Sequence, residues 1–289
     1  MGSAAGAIET TLWRRPRLRL SLLLAGPLGW LVVAYLGSLA VLFVAAFWQL
    51  DPFTAEVVRE PGLGNFRTLA EGEVYRTIAL RTIGIAAAVT VTDAILAFPI
   101  ALYMAKIATP RVRGLLVVAV LMPLWSSYLV KVYAWRTILQ EEGILNWALD
   151  PLGLSGPGFG NVATWLVFSY LWLPYMIIPI YAGLERIPQS LLDASDDLGG
   201  RPGTTLRRVI LPLVLPAVVA GSIFTFSLTL GDYIAPQLVS NTQFIGNVVY
   251  QNVGVANNLP LAAAFATVPV VVMIVYLLLA RRLGAFDSL

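Results

Sequence analysis

The sequence predicts an all-α integral membrane protein with six transmembrane helices, and three observations support that prediction. Apolar residues make up 58% of the chain and charged residues only 12%, with a mean hydropathy of +0.79. Soluble domains hold about 25% charged residues. The apolar residues are gathered into long runs, each able to supply the roughly 20 residues a helix needs to cross a bilayer. The two-residue alternation of a β-barrel is missing, and 18 prolines with 24 glycines fit helices with breaks.

Taken in order, the chain opens with Arg14, Arg15, Arg17 and Arg19, followed by an apolar run over 20–48. That run is too long for a signal-peptide core and lacks a small-residue cleavage site, so it reads as an uncleaved first span. Further spans are expected at 77–105, 114–137, 162–184, 209–231 and 262–280. The even count places both termini on one side. A single membrane domain over 20–282 is expected, with tails at 1–19 and 283–289. The stretches 49–76, 138–161 and 232–261 contain Pro, Gly and Asn and are expected to be loops with short surface helices.

Loop charge sets the orientation. One side holds the four tail arginines, then Lys106, Arg111 and Arg113, then Arg186, Arg201, Arg207 and Arg208, and finally Arg281 and Arg282. The other side holds Arg59, Arg67 and Arg76 together with most of the acidic residues. Lys and Arg favour the cytoplasmic side, so both termini are expected in the cytoplasm of a multi-pass inner or plasma membrane protein.

Several function classes fall away. Without His or Cys there is no imidazole relay, no thiolate metal site and no disulfide. The only lysines, Lys106 and Lys131, do not follow a phosphate-binding glycine pattern, so nucleotide hydrolysis cannot be assigned here. No catalytic residue and no metal site are expected, and a net charge of +3 does not point to nucleic acid. The remaining reading is a protein that moves a solute and meets membrane lipid.

The stretch 187–216 stands apart: charged, Gly-rich and helix-like between two apolar runs. Pro188 suits a first helical turn, and Leu191, Ala194, Ser195 and Leu198 recur at helical spacing, giving a small or apolar face about 15 Å long. Gly199-Gly200 should stop this helix, because Gly takes the left-handed cap conformation cheaply. Pro202 can start a second short helix, carrying Arg207 and Arg208, that runs into the next span. Such an elbow needs a partner for its exposed face.

The elbow resembles the EAA loop of ABC importer permeases. Asp193-Ala194-Ser195, three residues, Gly199, nine residues and then Val209-Ile210-Leu211-Pro212 match the spacing E-A-A-x3-G-x9-I-x-L-P. Asp193 stands where that family has Glu, and Ser195 where it has Ala. The resemblance implies the MetI-like permease fold, with this loop (187–210) docking on separate ATP-binding subunits that use ATP and Mg. The implied coupling residues are Leu191, Asp193, Ala194, Ser195, Leu198, Gly199, Arg207 and Pro212. It further implies a second permease subunit, an extracytoplasmic solute-binding protein and no cofactor in this chain. The stretches Tyr133-Ala134-Trp135-Arg136, Leu230-Gly231-Asp232-Tyr233 and Leu259-Pro260-Leu261-Ala262 are similar to the spermidine/putrescine branch, which implies polyamine import.

Candidate solute contacts are Asp93, Trp135, Asp232 and Tyr233. Asp232 with Tyr233 offers a carboxylate beside an aromatic face, a pair that attracts ammonium groups by about 0.5–2 kcal/mol through the ring alone. The bland alternative is a helix-end carboxylate in water. Asp93 lies inside a span, where a charge costs about 2.5–3.5 kcal/mol. It either lines the pathway, pairs with Lys131 or Arg136, or bonds a neighbouring helix as a protonated acid, with a structural partner favoured. Lys131 and Arg136 are expected to reach the outer interface. Trp125, Tyr128, Trp135, Tyr170 and Trp172 fit packing or interface roles better than a binding cage. Pro174, Pro179, Pro212 and Pro216 are expected to kink their spans. Competing functions are import of another small solute, or ion-coupled secondary transport through Asp93 or Asp232.

Overall fold

The computed structural model describes residues 16–282, so Arg14, Arg15 and the tail 283–289 lie outside the described residues. Five uninterrupted helices are long and apolar enough to cross a membrane, and a bent pair makes a sixth. The first, α1 (Leu20–Ala45), includes a wide π-type turn at Leu31–Leu36. It ends before the expected 48, where a short antiparallel ladder joins β1 (Gln49–Leu50) to β2 (Val57–Val58). A short helix α2 (Gly64–Glu71) then leads to α3 (Glu73–Ile107), longer than the run 77–105 predicts.

The expected third span, 114–137, is not one helix. It breaks into α4 (Pro110–Trp125) and α5 (Tyr128–Leu139), which meet at 92°. The cause is local. Pro123 cannot donate to the helical ladder. The carbonyl of Pro123 is taken instead by the Ser126 hydroxyl at 2.8 Å and the Lys131 ammonium at 3.0 Å. Lys131 therefore caps the break rather than reaching outward. The other expected kink sites sit within continuous helices: Pro174 and Pro179 in α7, and Pro212 and Pro216 in α9.

A short helix α6 (Ile144–Leu149) precedes α7 (Asn161–Glu185). The elbow helix α8 (Gln189–Asp197) follows, and then α9 (Pro202–Gly231). α9 starts seven residues before the expected 209, because the second elbow helix is continuous with the span. Helices α10 (Ile234–Val239) and α11 (Ile245–Gly254) precede the last span, α12 (Leu259–Arg282).

The bundle is organised around α3, α7 and α9, with α7 the most buried span. α7 and α9 approach closely at two points. A Cβ on Gly183 would lie 2.5 Å from Ala217 Cβ, and one on Gly221 would lie 2.9 Å from Met176 Sδ. One apolar core, at the elbow end, gathers Ala101, Met104, Ile180, Leu184, Ile210 and Val214. A second, at the opposite end, joins Val89, Val132, Phe168, Leu171, Ala235 and Val239. α1 remains almost wholly exposed along its length and is anchored only near its end, where Ala45 and Ala46 enter a third core with Phe265 of α12.

Candidate functional site

The elbow is built by backbone chemistry. Pro188 takes the N-cap position, one residue outside the first turn that the sequence predicts. At the other end, Leu198 is the C-cap and Gly199 adopts φ +74°. The Gly199 N–H donates to Asp196 O at 2.9 Å and the Gly200 N–H to Ser195 O at 2.8 Å. Those two bonds form a Schellman stop, which satisfies carbonyls that the helix end would leave orphaned. The two glycines do different jobs. A Cβ on Gly199 would meet nothing, so its requirement is conformational. A Cβ on Gly200 would lie 2.5 Å from Ser195 Oγ and 2.6 Å from Ser195 O, so its requirement is closeness.

The exposed face of α8 is narrower than the spacing predicts. Leu198 is 89% exposed and Leu191 43%, with Ala194 exposed between them. Ser195 leaves this face. Its hydroxyl lies 2.8 Å from the buried Thr205 Oγ1 and so ties α8 to the first turn of α9. Leu192 packs on the apolar core at this end of the bundle. Asp193 accepts a hydrogen bond from Gln189 at 3.1 Å, one turn back, and Arg207 is exposed. Pro212 lies at the second position of the straight part of α9, after a wide turn over Leu206–Ile210.

Four polar residues at the elbow's root were not singled out by sequence. Lys106 donates to Ile187 O at 2.8 Å. Arg113 donates to Met104 O at 3.1 Å and Ala105 O at 3.3 Å, and pairs with Glu185 at 3.4 Å. Tyr181 donates to the same Glu185 carboxylate at 2.5 Å. The available signal was Glu185 itself, an acidic residue inside the loop side that is otherwise rich in Lys and Arg.

The solute-pathway candidates do not converge on one pocket. Asp232 is half-buried rather than free in water. One of its oxygens accepts the N–H groups of Ile234 at 2.8 Å and Ala235 at 3.1 Å, which starts α10. The other accepts the Tyr128 hydroxyl. Burial pushes the carboxyl above the usual carboxylate range, while these hydrogen bonds act in the opposite sense. Tyr233 stacks on Tyr250 with ring centres 4.7 Å apart, beside an apolar cavity of about 420 Å³ lined by Leu230, Ile245, Val249 and Pro269. Trp135 packs on Tyr170 at 5.4 Å. Tyr128 and Phe168 both stack on Trp172, the first at 6.1 Å and the second at 6.3 Å, as packing aromatics.

Asp93 is fully buried in α3, and neither oxygen has a hydrogen-bond partner among the described residues. It does not pair with Lys131 or Arg136. Lys131 is turned to the break between α4 and α5, and Arg136 is exposed on α5. The Ser169 hydroxyl on α7 lies towards Asp93 without completing a bond, and Trp172 Nε1 is likewise unpartnered. Nearby polar groups of α3 are satisfied: Thr92 accepts from Trp165 Nε1 at 3.1 Å and Thr90 from Thr225 at 3.4 Å.

Comparison with known proteins identifies the framework that holds these sites. The model of the family described as "Binding-protein-dependent transport system inner membrane component" matches residues 86–285. The chain belongs to that family. Among its relatives, the inner membrane ABC transporter permease protein YdcU of Escherichia coli (strain K12) is 47% identical over 300 residues, covering 98% of this chain and 96% of YdcU. The spermidine/putrescine transport system permease protein PotB of the same strain is 28% identical over 261 residues, covering 88% of this chain and 94% of PotB. In fold, the chain matches a bacterial alginate ABC transporter solved with an alginate pentasaccharide-bound periplasmic protein. That match has a TM-score of 0.74 and 15% identity, over 95% of this chain and 96% of the other. The expected ABC permease fold is thus the observed one, and the chain is a multi-pass transport subunit of the inner membrane.

Proposed function

We propose that the chain is the permease subunit of an ATP-driven importer, that it is moved through the 187–210 elbow, and that its solute is a polyamine. The observation behind the drive mechanism is the exposed Leu191–Ala194–Leu198 face on a helix stopped by a Schellman turn. Apart from Leu192, which packs on the core, a helix this short and this exposed leaves its apolar side chains unburied, and that face serves as a docking surface. Its complement is a groove on an ATP-binding subunit, present as a pair, where ATP and Mg are consumed. The positive-inside count puts this face in the cytoplasm with both termini. A second permease subunit completes the pathway, and an extracytoplasmic binding protein delivers the solute. The chain itself performs no chemistry.

Polyamine import rests on the PotB likeness and on the acidic and aromatic groups Asp232, Tyr233 and Trp135 at the end opposite the elbow. Two N–H donors of α10 and the Tyr128 hydroxyl already occupy Asp232, so its contribution to an ammonium ion is through field as much as contact. Asp93 is kept as a contact that opens only when α3 and α7 move apart. The test is a binding screen of the partner solute-binding protein against spermidine, putrescine and a panel of neutral and anionic solutes. Preferential binding of the two polyamines is expected; binding of a sugar or an anion alone refutes the polyamine reading while leaving the importer reading in place.

A further inference from the structure

The polar bonds at the elbow's root converge on one place. Ile187, whose carbonyl Lys106 holds, is the residue before the N-cap of α8. Arg113, four residues into α4 by number, grips the last carbonyls of α3 and the Glu185 carboxylate at the end of α7. The described residues contain one other salt bridge, Arg67–Glu71, which is exposed and lies within α2. Arg113–Glu185 is therefore the pair that joins separate helices. α8 packs chiefly on the start of α9, so it has little direct hold on α3 or α4.

We propose that Lys106, Arg113 and Glu185 form an ionic joint that carries elbow motion into the broken pair α4–α5, as positioning residues for transport. The proposal rests on the ATP-driven reading above. Each cation sits at a carbonyl-rich helix end, where the helix dipole favours positive charge and unmet carbonyls at a membrane boundary are costly. A shift of the α8 root displaces Ile187 and Glu185 together, because Ile187 follows the end of α7 by two residues and its N–H donates to Leu184 O at 3.2 Å. Glu185 then draws on Arg113, and α4 runs without interruption from there to the 92° break. A displacement at the elbow is in this way delivered about 20 Å away, at 1.5 Å per residue.

The chain has no cysteine, so Ser127→Cys, at the exposed break, supplies a lone reporter thiol in this subunit. The intact complex in proteoliposomes is labelled with a membrane-impermeant maleimide, with and without ATP–vanadate trapping. Trapping is expected to change the labelling rate in the Ser127→Cys background. Adding Arg113→Glu or Glu185→Arg is expected to reduce that response by about two- to fivefold, the factor a half-exposed pair supports. ATP hydrolysis and the amount of assembled complex should persist, and the swapped double variant Arg113→Glu/Glu185→Arg should recover the response. If a reversed charge prevents assembly, Glu185→Gln leaves Arg113 on its two carbonyls and is expected to weaken the response. An undiminished response in any assembled single variant, or no recovery in the swap, overturns the joint alone. No response in the Ser127→Cys background sinks the ATP-driven reading together with the joint.

Discussion

Substitution at Gly199 separates conformation from bulk. Its φ of +74° is a backbone state that costs an L-residue about 1–2 kcal/mol, with Asn among the least penalised. The space around its absent side chain is empty, so added volume meets no neighbour. Gly199→Ala should therefore shift the balance between the stopped and frayed elbow by about 5- to 30-fold, the factor that 1–2 kcal/mol gives. Gly199→Asn should cost less than Ala although it is larger, and β-branched Gly199→Val should cost most. The assay is the ratio of solute taken up to ATP hydrolysed in proteoliposomes, with membrane insertion measured alongside. Insertion should be unchanged, because the bonds at stake lie outside the apolar spans. The expected order of coupling is Gly, Asn, Ala, Val. A series that follows side-chain volume, with Asn worse than Ala, refutes the conformational account and points to a steric contact with a partner.

Other outcomes follow from the same geometry. Gly200→Ala places its Cβ against Ser195 O, so it should disrupt both the Schellman bond and the Ser195–Thr205 contact and cost more than Gly199→Ala, as read by protease sensitivity of the elbow. Ser195→Ala and Thr205→Ala should each cost about 0.5–1.5 kcal/mol of elbow stability, and together little more than either alone; full additivity in a double-mutant cycle argues that the hydroxyls do not interact. Gly221→Leu forces side-chain atoms into Met176 at the α7–α9 crossing and should cost about 1–3 kcal/mol, seen as a lower detergent melting temperature; an unchanged melting temperature contradicts the close approach. Lys131→Met removes the donor to Pro123 O at the α4–α5 break, whereas Lys131→Arg keeps one, so Met alone should lower thermal stability.

Spans were legible because lipid demands long apolar runs, and each run shows in composition whatever its neighbours are. The elbow stop was legible as well, since a Gly at φ +74° is a local requirement written in local sequence. The α4–α5 break was not. Apolar residues continue across Ser126-Ser127, and Pro123 looks like the prolines that α7 and α9 absorb without interruption. What distinguishes it is a donor from the next helix, Lys131. Helical spacing assigns Ser195 to the exposed face, because its partner, Thr205, lies ten residues on in a different helix. The Asp93–Lys131 pairing failed for a related reason: opposite charges in apolar runs invite matching, but the bend directs Lys131 to a backbone carbonyl. The capping role of Asp232 was hidden because α10 is too short to announce itself by periodicity.

The central claim, that the exposed elbow face is where an ATP-binding subunit docks, is tested most directly by Leu198→Asp. Leu198 is 89% exposed, so the charge meets water in the isolated chain and should leave its folding and insertion intact. Affinity purification of the variant from membranes is expected to recover the chain without its ATP-binding subunit, with uptake lost. Recovery of the subunit in the wild-type ratio, with ATP-driven uptake preserved, would contradict the account.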